Sequence, residues 1–156
     1  MKPANQRVAR YLDQFGIALE IRILSDAVRT ARLAAEALGC EPGQIANSLI
    51  FRDINNSQAV LIMCAGDRRV DVQKVEALTD IKLGKADAGF VRQQTGFAIG
   101  GVPPVAHTNT LRCLLDASLR RHDEIWAAAG TPESVFCMAP DELQKITAGT
   151  WLDLVE

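Results

Sequence analysis

Hydrophobic positions at the start of the chain follow first a helical and then an extended period. Val8, Leu12 and Phe15 recur at helical spacing within residues 5–15, which predicts a short amphipathic helix that ends near Gly16. Residues 18–24 then alternate charged and apolar side chains, the period of a half-buried strand. We therefore expect a helix followed by a strand with one face turned inward.

The next segments alternate between the same two patterns. In residues 30–38, alanine and leucine recur at helical spacing up to Gly39, which predicts a second helix. Residues 48–52 and 58–64 are apolar runs, and the two asparagines of residues 53–57 between them tolerate left-handed backbone angles. This part of the sequence predicts a β-hairpin.

The rest of the chain predicts further short elements of both kinds. Helices are expected at residues 70–78, at 87–94 and from 140 onward, strands at 97–99, 111–115, 125–128 and 135–138, and a helical turn at 117–122. No linker or internal repeat interrupts this order. We expect a single mixed α/β domain over residues 1–156.

Composition and charge narrow the function classes. With 48% hydrophobic and 23% charged residues, the chain has a globular rather than a disordered or fibrous composition. A net charge of −2 excludes binding to nucleic acid by charge alone, so DNA is not expected and any RNA contact must be local. The N-terminus lacks the apolar core of a secretory signal, and the apolar run 59–65 is too short to span a membrane. We expect a cytoplasmic protein.

Cysteine and histidine are too dispersed to predict a metal site. The four cysteines form no C-x-x-C pair, and the chain has two histidines, so we expect reduced thiols and no metal ion. Cys64 and Cys113 fall inside predicted strands with no base beside them, which argues against thiol catalysis. His122, beside two arginines, is expected at the solvated surface.

The segment 100–104, with the sequence GGVPP, is the first candidate for chemistry. Glycine lets backbone amides approach a ligand closely, and proline fixes the direction of the chain. Such a loop can form an oxyanion hole for ester hydrolysis. The alternative is a tight, rigid crossover without a chemical role.

Two polar residues outside this loop are further candidates. His107 could act as a general base or hold a substrate group, and its alternative is an ordinary surface histidine. Asn47 could orient a water molecule or bond an amino group, and its alternative is a turn or cap residue.

The sequence resembles the YbaK/ProX family of aminoacyl-tRNA deacylases, most strongly over residues 30–156. Each matching residue pair is weak alone, but their order along the chain is specific. The matches are residues 30–31, 34–35, 38–39, 44–49 (QIANSL), 66–67, 95–96, 100–104 as the family's Gly-x-x-x-Pro loop, Asp116, 129–130 and 140–143 (PDEL).

The resemblance implies a curved, barrel-like mixed β-sheet surrounded by helices, related to the editing domain of bacterial prolyl-tRNA synthetase. It implies a freestanding enzyme that hydrolyses the ester of tRNA mischarged with a small amino acid, without metal or organic cofactor. A synthetase such as prolyl-tRNA synthetase is a possible partner. The site residues that it implies are Gly100, Gly101, Val102 and Asn47 for catalysis, and Thr30, Ser48, Pro103, Pro104 and His107 for substrate binding.

The sequence departs from the family pattern at three positions. Asn47 stands where many members carry a catalytic lysine, Pro103 where serine is frequent, and Val135 where some relatives have an acid. A neutral amide cannot supply the charge of a lysine, so either specificity or activity has changed.

Two other functions remain open at this point. The loss of the lysine favours a module that binds an aminoacyl group or a tRNA end without hydrolysing it. The negative net charge is compatible with hydrolysis of a small ester unrelated to tRNA.

Overall fold

The computed structural model describes residues 1–25, 28 and 30–156. Over these residues the chain forms five α-helices, eight β-strands and two short 3₁₀ helices. The α-helices are α1 (Pro3–Asp13), α2 (Ala31–Leu38), α3 (Val72–Thr79), α4 (Ala88–Thr95) and α5 (Pro140–Thr147). The strands are β1 (Ile21–Ile23), β2 (Ala46–Asp53), β3 (Ala59–Ala65), β4 (Leu83–Gly84), β5 (Arg112–Asp116), β6 (Ile125–Ala128), β7 (Ser134–Met138) and β8 (Thr150–Leu152). The 3₁₀ helices are Pro42–Gln44 and Ala117–Arg121.

The strands form two sheets that meet at one point. The larger sheet has the order β4-β2-β3-β5-β8 and is mixed, because β3, β5 and β8 run parallel whereas β2 is antiparallel to β3 and β4. The smaller sheet is antiparallel with the order β1-β7-β6. A parallel bridge between Ile45 and Trp126 joins them. The expected mixed α/β fold with a curled, half-barrel sheet is confirmed.

Strand β3 is the centre of the core. All seven of its residues are buried, and alternate side chains point to opposite faces of the sheet. Leu61 and Met63 pack with Val8 and Leu12 of α1 and with residues of α5 and β6, whereas Val60, Ile62 and Cys64 pack against Val75 of α3. The chain thus buries both faces of the larger sheet.

The predicted hairpin is confirmed, with β2 and β3 paired in continuous register from Ala46–Ala65 to Arg52–Ala59. Its turn differs in one detail from the expectation. The left-handed residue is Ser57, with φ 59°, rather than either asparagine. The physical reason is that Asp53 Oδ1 accepts a hydrogen bond from the Asn55 N–H at 3.0 Å and holds the turn in another geometry.

The segment 97–99 is not a strand, so that prediction was wrong. The Phe97 N–H donates to Thr95 Oγ1 at 3.1 Å, and the Ala98 carbonyl accepts from the Gly101 N–H at 3.0 Å. These local bonds occupy backbone groups that a sheet would need. The sequence also gave no sign of β4 and β8, whose two and three residues are too short for a readable alternation. No helix in the described part of the chain is long and apolar enough to cross a membrane.

Candidate functional site

A cavity of about 720 Å³ opens where β2 and β6 separate beyond their single bridge. This volume is in the range of sites for small organic ligands. Small side chains make much of the wall: Ala31, Ala34, Ala46, Ala127 and Ala128. The remaining described lining residues are Leu24, Ser25, Val28, Thr30, Ile45, Asn47, Ser48, Leu49, Ile99, Gly100, Val102, Trp126, Pro132, Glu133 and Val135. The cavity is therefore mainly apolar with a few polar groups.

The predicted loop 100–104 forms one side of this cavity through Gly100 and Val102. Gly100 has φ 89°, a left-handed angle that favours glycine. Gly101 is needed for a different reason, because a β carbon there would lie 2.7 Å from the carbonyl carbon of Thr131. Because Gly101 has no side chain, the loop can lie directly against the backbone of residues 131–132.

The backbone amides of the loop are not equivalent. The Gly101 N–H donates to the Ala98 carbonyl, so it is already engaged and shapes the loop. Neither the Gly100 N–H nor the Val102 N–H has an acceptor within the described part of the chain. Both residues line the cavity, and Val102 is buried, so its amide is a candidate donor to a bound carbonyl oxygen.

The second half of the loop and His107 lie away from the main cavity. Pro104 and His107 line a separate cavity of about 140 Å³ beside α1 and α5. The His107 Nε2 lies 2.7 Å from the Pro103 carbonyl, which can only accept, so Nε2 carries the proton. Burial lowers the pKa of His107. The structure therefore does not bring His107 to the main cavity, and its contact with Pro103 supports the loop from behind.

Three further predicted residues do meet at the main cavity. Thr30 also caps α2, because its Oγ1 accepts from the Leu33 N–H at 3.1 Å. The Ser48 hydroxyl donates to the Met63 sulfur at 3.3 Å. The side-chain amide of Asn47 has no partner in the described part of the chain, and it borders the cavity from β2. Asn47 thus keeps its hydrogen-bonding groups for a ligand or water.

Sequence reasoning missed Glu133 at the rim of the cavity. Its carboxylate accepts a hydrogen bond from Lys2 Nζ at 2.7 Å, which lowers the pKa of Glu133. Asn5 stabilises the turn that carries Glu133. Its Nδ2 donates to the Ala129 carbonyl at 2.7 Å and to Ser134 Oγ at 3.0 Å. These partners lie more than 120 positions apart in the chain, so no local spacing could have signalled the arrangement.

Trp126 and Val135 form an apolar wall that the sequence did not predict. Trp126 lies on β6, and the guanidinium carbon of Arg22 stands 5.2 Å from the centre of its ring. Val135 pairs with Arg22 in the smaller sheet and also lines the cavity. An apolar residue, Val135, therefore lines the cavity on this side.

The thiols are unsuited to nucleophilic catalysis, as expected. Burial raises the pKa of Cys113 to about 12, and burial together with Asp116 raises the pKa of Cys64 to the same value. Both therefore stay protonated at neutral pH and unreactive. Among the described residues, no group of three His, Cys, Asp or Glu side chains could hold a metal ion.

The expectation for His122 was wrong, because its side chain is only 15% exposed. It packs beside Gly43, and its Nδ1 lies 3.7 Å from a carboxylate oxygen of Glu41. The helical turns around residues 42–44 and 117–121 cover it. The two arginines that precede His122 in the sequence do not indicate that these two turns are in contact.

Comparisons with known proteins identify the family of the chain. Residues 25–146 match the family model of the aminoacyl-tRNA editing domain. The chain is 33% identical over 126 residues, 80% of either protein, to the uncharacterized protein YwhH of Bacillus subtilis (strain 168).

Two solved structures share the whole fold. One is named as a candidate trans-editing enzyme for prolyl-tRNA synthetase, with 40% identity, a TM-score of 0.92 and coverage of 100% of this chain and 99% of that one. The other comes from a study of epitope backbone grafting onto scaffold proteins, with 38% identity, a TM-score of 0.93 and the same coverage. The resemblance to the YbaK/ProX family is thereby confirmed, and the chain belongs to the aminoacyl-tRNA editing domain family.

Proposed function

We propose that the chain hydrolyses the ester bond of tRNA mischarged with a small amino acid, acting as a freestanding editing enzyme. The observation that carries the proposal is the cavity in which Gly100, Val102, Asn47, Ser48 and Thr30 meet. These residues are the glycine loop and the polar positions that the family resemblance implied. They supply hydrogen-bonding groups without charge inside a mainly apolar wall.

The proposed chemistry uses water as the nucleophile. The ester carbonyl accepts from the Val102 N–H, and a water oxygen attacks the carbonyl carbon. The bond to the ribose oxygen then breaks, and that oxygen takes up the proton that the attacking water releases, which leaves the free amino acid and the tRNA hydroxyl. A fixed donor stabilises the developing oxyanion by about 2.7–4 kcal/mol. The protonated thiols of the chain take no part.

Asn47 and Glu133 are assigned to positioning. The free amide of Asn47 can orient the attacking water or bond the substrate's amino group, in place of the lysine of many relatives. Glu133 stays ionised beside Lys2, and its carboxylate can accept a further hydrogen bond from a substrate ammonium group. Neither side chain needs to transfer a proton for hydrolysis to proceed.

Selection of a small amino acid is assigned to Trp126 and the alanine wall. A missing methylene changes binding by only about 1–3 kcal/mol, so synthetases attach amino acids smaller than their own and need a second site for them. One of the similar solved proteins is named as a candidate trans-editing enzyme for prolyl-tRNA synthetase. We propose that this chain likewise acts on the aminoacylated end of tRNA, with such a synthetase as its partner.

The test is release of amino acid from purified tRNAs charged with alanine, serine, threonine, cysteine, proline or 2-aminobutyrate. We expect turnover above the enzyme-free rate on at least one small amino acid, and little on the larger ones. Absence of turnover on every member would overturn the proposed hydrolysis.

A binding module is the second candidate, favoured by the neutral Asn47 at the lysine position. It would retain charged tRNA in the cavity without releasing the amino acid. A tRNA that carries its amino acid through a non-hydrolysable amide separates the two functions. Tight binding of this analogue without turnover of the ester would support the binding module.

A further inference from the structure

The backbone of β2 has two edges with different partners. At one end of the hairpin, the Ile45 carbonyl accepts from the Gly66 N–H at 2.8 Å, and at the other the Asp53 N–H donates to the Gln58 carbonyl at 2.8 Å. The register between these bonds is continuous. Opposite residues in antiparallel strands alternate between hydrogen-bonded and non-bonded pairs. Odd-numbered residues 45–53 therefore point their backbone groups toward β3, and even-numbered residues point theirs away.

The outward edge is paired only near its two ends. The bridge to β6 is at Ile45, and β4 pairs at Arg52 and Asp53. In the described part of the chain, no strand pairs with this edge between those points. Ser48 lies in the gap, and it lines the cavity, whereas Ile50 does not. The outward N–H and carbonyl of Ser48 thus face the cavity from a rigid strand.

We propose that the backbone N–H of Ser48 is a second donor to the ester carbonyl oxygen, opposite the Val102 N–H; this inference rests on the proposed hydrolysis. The Gly101 amide is engaged with Ala98, so the loop by itself offers fewer donors than its glycines suggest. A strand edge held by the hairpin is preorganised and needs no rearrangement when charge develops on the oxygen. The side chain of Ser48 is not required, because its hydroxyl is turned to Met63.

The experiment separates the backbone N–H from the side chain. Ser48→Ala removes the hydroxyl and keeps the N–H, so its deacylation rate is the reference against which the backbone change at this residue is measured. Incorporation of lactic acid in place of that alanine replaces the N–H by an ester oxygen. We expect this replacement to lower kcat by roughly 10²–10³-fold, the loss typical of one oxyanion donor. Ser48→Pro removes the same N–H genetically, at an edge where proline is tolerated.

The matched control is the corresponding hydroxy acid at Ile50, which removes an outward N–H on the same edge but outside the cavity. Its activity should stay near that of the wild type. Equal activity of the lactic acid and alanine proteins at residue 48 would overturn the inference, as would an equal loss at residue 50. Wild-type protein that releases no amino acid from any tRNA would overturn the proposed function, and this inference with it.

Discussion

Gly101 and Thr131 touch through their backbones, because a β carbon on Gly101 would lie 2.7 Å from the carbonyl carbon of Thr131 and 2.8 Å from its α carbon. Such distances are below any real carbon–carbon contact, and backbone atoms cannot swing aside as a flexible side chain can. The glycine loop therefore takes its position from the turn between β6 and β7. Any side chain at residue 101 must push the two segments apart.

Gly101→Ala should accordingly lower both stability and activity. Overpacking of this kind costs about 1–3 kcal/mol of unfolding free energy. We expect deacylation to fall at least about tenfold, because a shift of the loop misaligns the Val102 amide. Urea unfolding and amino acid release measure the two effects.

Gly16→Ala is the control for this variant. Gly16 has φ 71°, and its surroundings are open to a β carbon, so alanine there adds only backbone strain of about 1–2 kcal/mol. Its deacylation should be unchanged. Wild-type stability of Gly101→Ala would contradict the close contact with Thr131.

Asn47→Ala should affect activity without affecting stability. The amide of Asn47 has no partner in the described part of the chain, so its loss is expected to change the unfolding free energy by less than about 0.5 kcal/mol. Deacylation is expected to fall roughly tenfold, the loss of one ordinary hydrogen bond to substrate or water. Single-turnover release from charged tRNA measures it.

Asn56→Ala and Asn47→Lys complete this series. Asn56 lies in the exposed hairpin turn, and its replacement should leave deacylation unchanged. The lysine variant introduces the residue that the family resemblance implies at this position, and it should alter which amino acid is released fastest. An unchanged rate in Asn47→Ala together with an unchanged profile in Asn47→Lys would remove Asn47 from the site.

His107 should make the protein less stable in mild acid. Burial lowers the pKa of its folded form below the unfolded value of about 6.5. Below that pH the unfolded chain binds a proton that the folded chain does not, so the unfolding free energy falls as pH falls toward the folded pKa. The slope from one proton is at most about 1.4 kcal/mol per pH unit.

His107→Gln tests this linkage by urea unfolding between pH 5 and 8, the range about the unperturbed histidine value. Glutamine can still donate to the Pro103 carbonyl but does not titrate, so the acid-side loss should be reduced. His122→Gln is the control and should retain the contribution of His107. Identical pH profiles for the wild type and His107→Gln would show that His107 is not the source.

The hairpin and most helices were predictable because their signals are local. Residues 48–52 and 58–64 carry continuous apolar runs, and Gly39 ends α2 with a left-handed angle, φ 71°. Thr30 and Asp71 cap α2 and α3. By contrast, the segment 97–99 has strand-like residues, but Thr95 Oγ1 captures its first N–H. This hydrogen bond, which a neighbouring side chain accepts, outweighs the strand propensity of the segment.

The candidate site was predictable only in part. Gly100, Val102 and Asn47, which the family resemblance proposes as site residues, line one cavity, because the loop and β2 border the same gap between the sheets. His107 follows the loop closely in sequence but lines another cavity, where its ring bonds the Pro103 carbonyl. Trp126 reaches the site through the bridge between β6 and Ile45, and Glu133 through its ion pair with Lys2 near the start of the chain; no local pattern encodes either contact.

Trp126→Ala should widen the range of amino acids released. Trp126 is the bulkiest side chain in the cavity wall, and its removal leaves space beside Ala127 and Ala128. We expect the ratio of rates for proline over alanine to rise about tenfold, since extra apolar contact is worth roughly 1–3 kcal/mol per methylene. Competing release from the two charged tRNAs measures this ratio.

Trp151→Ala is the matched control for this change. Trp151 also lies on a strand with an arginine over its ring, at 5.3 Å from Arg120, but it is outside the cavity. Both variants should lose stability through lost packing, and only Trp126→Ala should alter the ratio. An equal change of the ratio in both variants would assign it to general loosening of the fold, and no change in either would show that selection lies elsewhere in the wall.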